Sequence, residues 1–187
     1  MPIKNYCSVA DIENYLLIEI DAGFESQIEE WIEAMENYID KETGRNFKAD
    51  AIASERLYDG DGSTSLYIDD CVEITKVEVD DEEIEYYAYP ANELPKIKLE
   101  LEDDIFTRGK QNVAITAKWG YSADVPKAIE FACMVLVAGI INNAANTDGE
   151  IKSLSMGAYS VTYKDQKQVV DYENAMKIID RYRRMTL

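Results

Sequence analysis

The sequence contains no histidine, only three cysteines and four prolines, and its 19 basic residues face 37 acidic ones. Without histidine the chain lacks the side chain that most often moves protons near neutral pH and most often ligates metals. Hydrolytic triads that depend on an imidazole are excluded, and most zinc sites with them. Cys7, Cys71 and Cys133 are odd in number and widely spaced, and they form no Cys-x-x-Cys pair. They therefore read as reduced, buried thiols of a protein made in a reducing cytoplasm. The first residues show no basic region followed by an apolar core, so no secretory signal is expected. The most apolar run, residues 131–141, is shorter than the roughly 20 apolar residues that cross a bilayer, and no membrane role is expected.

What is present is acid and apolar surface in quantity. A formal charge of −18 argues against a protein that grips nucleic acid, because phosphate binding rests on clustered lysine and arginine. Acidity of this size also keeps a crowded protein soluble. At 187 residues, with 47% apolar and 30% charged content, the chain is large enough for one domain with its own core, and a single domain spanning 1–187 is expected.

Periodicity predicts an α+β fold: a helical bundle of about four helices with an inserted small antiparallel β-sheet or half-barrel. The helices are expected at about 9–18, 24–43, 126–145 and 168–184, and the β-rich insertion at about 54–121. Ser8 and Asp11 have the spacing of a capping box at the first helix. In the second helix Phe24, Ile28, Trp31, Ile32, Met35 and Ile39 form one buried stripe, while Glu25, Glu29, Glu30, Glu33, Glu36 and Asp40 make the opposite face acidic. Gly44 suits the position just past that helix.

Asp59-Gly60-Asp61-Gly62 reads as a hairpin turn between two strands. Val72, Ile74, Val77 and Val79 change phase near residues 75–76, which predicts a bulge. A turn at 80–83 leads into a strand at 84–89, and Ile97, Leu99 and Leu101 form the next alternation. Val113, Ile115, Ala117 and Trp119 give the clearest one. Pro126 suits a helix start, and the helix after it is apolar nearly all round, which implies burial on most sides and by a neighbouring subunit as well. Residues 146–150 read as a polar loop, and Tyr159, Val161 and Tyr163 as one more strand.

Few residues suggest chemistry. Asp59 and Asp61 invite a calcium loop, but the sixth position counted from Asp59 is Thr64, where such a loop needs glycine. Gly109-Lys110 lacks the upstream glycine and downstream hydroxyl of a phosphate-binding loop. The acid runs at 80–83 and 102–104 read as solvated turns, whereas two-carboxylate catalysis needs a cleft that sets the two apart. No catalytic residue, cofactor or metal is expected, and the chain reads as a non-enzyme. Surfaces for protein contact are better marked. Among 13 tyrosines, Tyr86, Tyr87 and Tyr89 put aromatics on both faces of one strand; a core absorbs one face, and the other is expected to meet a protein. Lys177, Arg181, Arg183 and Arg184 crowd the end of the last helix, more cations than its dipole alone calls for.

Several words occur in a telling order: Tyr6-Cys7-Ser8, Thr43-Gly44-Arg45, the Asp-Gly-Asp-Gly-Ser turn at 59–63, Trp119-Gly120-Tyr121, Val125-Pro126 opening a helix, and Gly157-Ala158-Tyr159-Ser160-Val161-Thr162-Tyr163. In that order the chain resembles the phage head-tail connector family, the adaptors that form a ring beneath the portal. The resemblance implies a structural virion protein made in the bacterial host cytoplasm and located at the head-tail interface. It implies a dodecameric ring that meets the phage portal protein on one face and a stopper or tail-completion protein on the other, with DNA passing through without tight binding. It also implies that Arg181, Tyr182, Arg183, Arg184 and Met185 dock on the portal. A different reading of the same acidity is a DNA mimic that binds a host nucleic-acid enzyme through the Glu face of the second helix.

Overall fold

The computed structural model describes residues 4–145, 152–156, 159–163 and 166–184. Along them run α1 (Val9–Leu16), α2 (Glu25–Thr43), β1 (Ser54–Tyr58), β2 (Ser65–Val79), β3 (Glu82–Glu83), β4 (Tyr87–Tyr89), β5 (Lys96–Glu100), β6 (Val113–Trp119), α3 (Lys127–Ala145), β7 (Lys152–Met156), β8 (Tyr159–Tyr163) and α4 (Gln166–Tyr182). The fold is mixed α+β, with four helices and a six-stranded antiparallel sheet that is not closed into a barrel. The chain divides into two units: Met1–Gly44 with Val125–Leu187 hold the helices, and Arg45–Asp124 hold the sheet.

In the helical unit local signals act as the sequence predicts, with corrections at the ends. The Ser8 hydroxyl accepts from Asp11 N at 3.2 Å and the Asp11 carboxylate accepts from Ser8 N at 2.8 Å, closing the capping box. The Ser8 hydroxyl, donating to the Asp11 carboxylate at 2.6 Å, and the Ser8 amide hold the Asp11 carboxyl below its usual range. α1 stops at Leu16, short of residue 18, because Leu17 turns left-handed (φ 55°) and returns its amide to the Glu13 carbonyl. α2 closes on Gly44, whose φ of 67° costs glycine little. Ile28, Ile32, Met35 and Ile39 are buried as a stripe, but Phe24 precedes the first helical turn and is 60% exposed.

The Pro126 carbonyl accepts from Ile129 and Glu130, starting α3. α3 is long and apolar enough to cross a membrane by length and composition. Here it is the central helix of its unit, packed by α1, α2, α4 and β8, with Ile129, Ala132, Cys133, Val135, Leu136 and Val137 buried inside a single chain. Phe131, Met134 and Ile141 of the same helix are half-buried. β7 and β8 pair antiparallel, Lys152 opposite Tyr163, so the one strand expected near residue 159 is half of a hairpin. The expected loop at 146–150 lies outside the described residues.

The sheet runs in the order β1-β6-β2-β5-β4, with β3 beside β2. β6 shows the alternation its sequence predicts: Val113, Ile115, Ala117 and Trp119 are buried, and with Ile68, Cys71, Val77, Leu99 and Phe106 they form the core of this unit. The pairing of β2 with β6 shifts register between Ile74 and Lys76, where the phase change predicted a bulge. Asp80 and Asp81, at φ 52° and 68°, form the turn that sends Glu82 and Glu83 back along β2. The strand expected over 84–89 is only Tyr87–Tyr89.

The segment 59–62 is not a hairpin turn. β1 pairs with β6, which stands between β1 and β2, so the chain leaving Tyr58 cannot return beside β1. It is captured instead by the 106–112 loop. Gly60 N donates to Asn112 Oδ1 at 3.0 Å, Gly109 N to the Gly60 carbonyl at 3.1 Å, and Gly62 N to the Phe106 carbonyl at 2.8 Å. Gly60 is required by proximity, since a Cβ there would lie 2.0 Å from the Thr107 carbonyl oxygen.

Candidate interface surfaces

The acidic face of α2 is not wholly a solvent face. Glu36 is 1% exposed, and its two carboxylate oxygens accept from Lys4 N at 2.9 Å and Tyr6 N at 2.7 Å. One turn on, Asp40 accepts from the Tyr6 hydroxyl at 2.5 Å and pairs with the Lys4 ammonium. A buried carboxylate is tolerable only when its lone pairs are filled, and here the N-terminal strand of chain fills them. Burial pushes both carboxyls above their usual range, against the opposing pull of Lys4 and Tyr6. Helical periodicity marked these acids as a face, but not what would cover them. Glu25, Glu29 and Glu30 do remain exposed.

The basic C-terminus is partly engaged within its own unit. Ala175 and Ile179 are buried and Tyr182 is half-buried, so the predicted apolar face of α4 has a cover. Arg183 Nη2 lies 2.9 Å from Glu42 Oε2 and 3.4 Å from Asp180 Oδ1. Arg184 N donates to the Thr43 carbonyl at 2.7 Å, capping the end of α2. Lys177 and Arg181 are exposed, and Met185 lies outside the described residues. The five residues implied as a docking segment thus begin on an ordered helix end seated against the C-terminus of α2.

The tyrosines divide as an alternating strand requires. Tyr86 is half-buried and packs against the sheet core beside Ile84. Tyr87 and Tyr89 are exposed on the other face. Register adds a residue that sequence reading missed: Tyr67 of β2 and Tyr89 of β4 both stand opposite Lys98 of β5, which puts all three side chains on one face. The Lys98 ammonium sits 4.7 Å from the centre of the Tyr89 ring and 2.9 Å from Glu100 Oε2. The Tyr87 hydroxyl donates to Glu102 at 2.8 Å, which pushes its pKa up. Tyr67 lies 20 residues before Tyr87 in sequence, so only strand pairing brings them together.

Asp59 and Asp61 are engaged by neighbouring donors. Asp59 accepts from Gln111 N at 2.7 Å and from Lys110 Nζ at 2.8 Å, bonds that hold its carboxyl below the usual range. Asp61 accepts from Ser63 N at 2.8 Å. Among the described residues no three His, Cys, Asp or Glu side chains are grouped to hold a metal.

The sheet is thus open with an exposed tyrosine face, and it is joined in sequence to a helical unit with a charged end. Residues 6–185 match the family model of the head completion protein, and the chain belongs to that family. It is thereby a structural head-tail connector protein of the phage virion. Among solved structures it is similar to a chain of the neck of an empty GTA particle computed with C6 symmetry, with a TM-score of 0.64 at 13% identity, covering 100% of this chain and 94% of that one. A chain of the neck of a native GTA particle computed with C12 symmetry gives 0.58 at 15% identity, again covering 100% and 94%. At such identities the likeness shows a shared fold. No curated protein matches the chain.

Proposed function

We propose that the chain is the subunit of an adaptor ring that joins the phage portal to a stopper or tail-completion protein and leaves a passage for DNA. The observation that carries this reading is the family match over residues 6–185. The fold shared with a neck chain of a particle computed with C12 symmetry supports a dodecamer. The net charge of −18 fits a ring that DNA crosses without being held. Arg181, Tyr182, Arg183, Arg184 and Met185 are the portal-docking segment, and Tyr87 and Tyr89, with Tyr67 rather than the inward-packed Tyr86, are a second protein contact. A DNA mimic acting through α2 is less well supported, because Glu36 and Asp40 of that face are engaged by Lys4 and Tyr6.

Co-sedimentation with purified portal rings tests the docking segment. The full chain should pellet with the rings, and a chain lacking residues 181–187 should stay folded by circular dichroism but remain in the supernatant. Tyr182→Ala and Arg183→Ala should each weaken attachment roughly thirtyfold, as truncated hot-spot residues do. Undiminished binding by the shortened chain moves the portal contact to the sheet, and failure of the full chain to bind any portal ring removes the adaptor reading.

A further inference from the structure

Two of the three cysteines, far apart in sequence, meet in the helical unit. Cys7 Sγ and Cys133 Sγ lie 3.5 Å apart, both thiols are free, and both residues are buried. Cys7 stands between Tyr6, whose amide and hydroxyl are held by Glu36 and Asp40, and Ser8, which caps α1. Cys133 is fixed in the middle of α3. Each sulfur is therefore presented to the other by a separately anchored element, and about 1.5 Å of approach separates their contact from the bond length of a disulfide. We propose that Cys7 and Cys133 are a latent disulfide pair, reduced in the cell and oxidised by a peroxide, whose bond fastens the N-terminal segment to α3.

Access sets when this can occur. The contact with Cys7 and burial together push the Cys133 thiol well above the ordinary thiol range, so Cys133 offers little thiolate while the pair is closed. The segment ahead of α1 is secured by the Glu36 and Asp40 contacts, and local opening there exposes Cys7 first. The exposed Cys7 thiolate then attacks the peroxide, the O–O bond breaks, and the sulfur becomes a sulfenic acid as one water leaves. On reclosure the Cys133 sulfur attacks Cys7 sulfur, the S–O bond breaks, and the departing hydroxide takes the Cys133 proton as a second water. Two thiols have lost two electrons and one peroxide has gained them.

The bond would join residues 126 apart in sequence, a long loop of the kind whose closure most restricts the unfolded chain. The test is hydrogen peroxide treatment of the purified full chain, followed by thiol titration in denaturant and non-reducing peptide mapping. Titratable thiols should fall from three to one, the map should contain a peptide linking Cys7 to Cys133, and Tm should rise by on the order of 10 °C, reversibly with dithiothreitol. Glu36→Ala, which loosens the N-terminal segment, should speed the reaction at least roughly tenfold. A Cys71→Ala chain keeps the pair and should fall from two titratable thiols to none, which guards against a misfolded Cys7 or Cys133 variant. Three thiols surviving saturating peroxide, or a linkage through Cys71, overturns the proposal.

Discussion

Replacing Glu36 with alanine should cost this protein a substantial share of its stability, although the residue lies among a row of surface acids. Its carboxylate fills the hydrogen-bonding needs of two backbone amides, and Tyr6, one of their owners, is fully buried. Bonds to a charged acceptor contribute about 1.5–3 kcal/mol each, and an orphaned buried N–H costs about 1–3 kcal/mol. Relief of the buried charge offsets part of this, since burial is what raises the Glu36 pKa. The balance is a loss of about 3 kcal/mol, or roughly 10 °C in Tm for a chain of this size.

Urea unfolding at pH 7 measures the loss directly, and amide exchange at Tyr6 should accelerate with it. Glu36→Gln should lose about half as much, because one oxygen still accepts while the new NH₂ group faces the second N–H. The pH dependence has a defined sign. The folded pKa of Glu36 lies above its ordinary value of 4.5, so the folded state binds the proton more tightly than the unfolded one. The contribution from this titration is fully present below 4.5 and is lost as pH rises through the folded pKa. The stability gap between wild type and Glu36→Gln should therefore widen as pH falls from 7 toward 4.5. A Glu36→Ala protein within about 0.5 kcal/mol of wild type, or a gap that narrows on acidification, would refute the reasoning.

Leu136, fully buried on α3, should not tolerate aspartate: an unpaired buried carboxylate costs several kcal/mol, and Leu136→Asp should be found in the insoluble fraction on expression. Gly60→Ala should lose about 1–3 kcal/mol, seen as a lower urea midpoint at unchanged m-value, because the new methyl meets the Thr107 carbonyl oxygen. In a gel-shift assay at physiological salt the isolated protein should leave duplex DNA free; a complex whose affinity falls steeply with added salt would reveal a basic surface that outweighs the charge of −18.

The sequence alone determined the features that depend on near neighbours. A capping box spans three residues, a helical stripe repeats within one turn, and strand alternation repeats every second residue, so Ser8 with Asp11, the Ile28–Ile39 stripe and Val113 to Trp119 were all legible. The inserted sheet was legible as well, because its period differs from that of the helices on either side. Tertiary structure decided whatever depended on residues distant in the chain. Asp59-Gly60-Asp61-Gly62 has hairpin chemistry, yet β6 enters between β1 and β2 and turns the segment into a clasp on the 106–112 loop. Glu36 shares its spacing with the solvated glutamates, yet Tyr6, 30 residues away in sequence, covers it. Tyr67 joined the tyrosine face, and Cys7 found Cys133, by the same means. Local patterns carry the preference of each segment for helix, strand or turn. Partners are chosen by the burial of apolar surface among segments the chain brings together only when it folds.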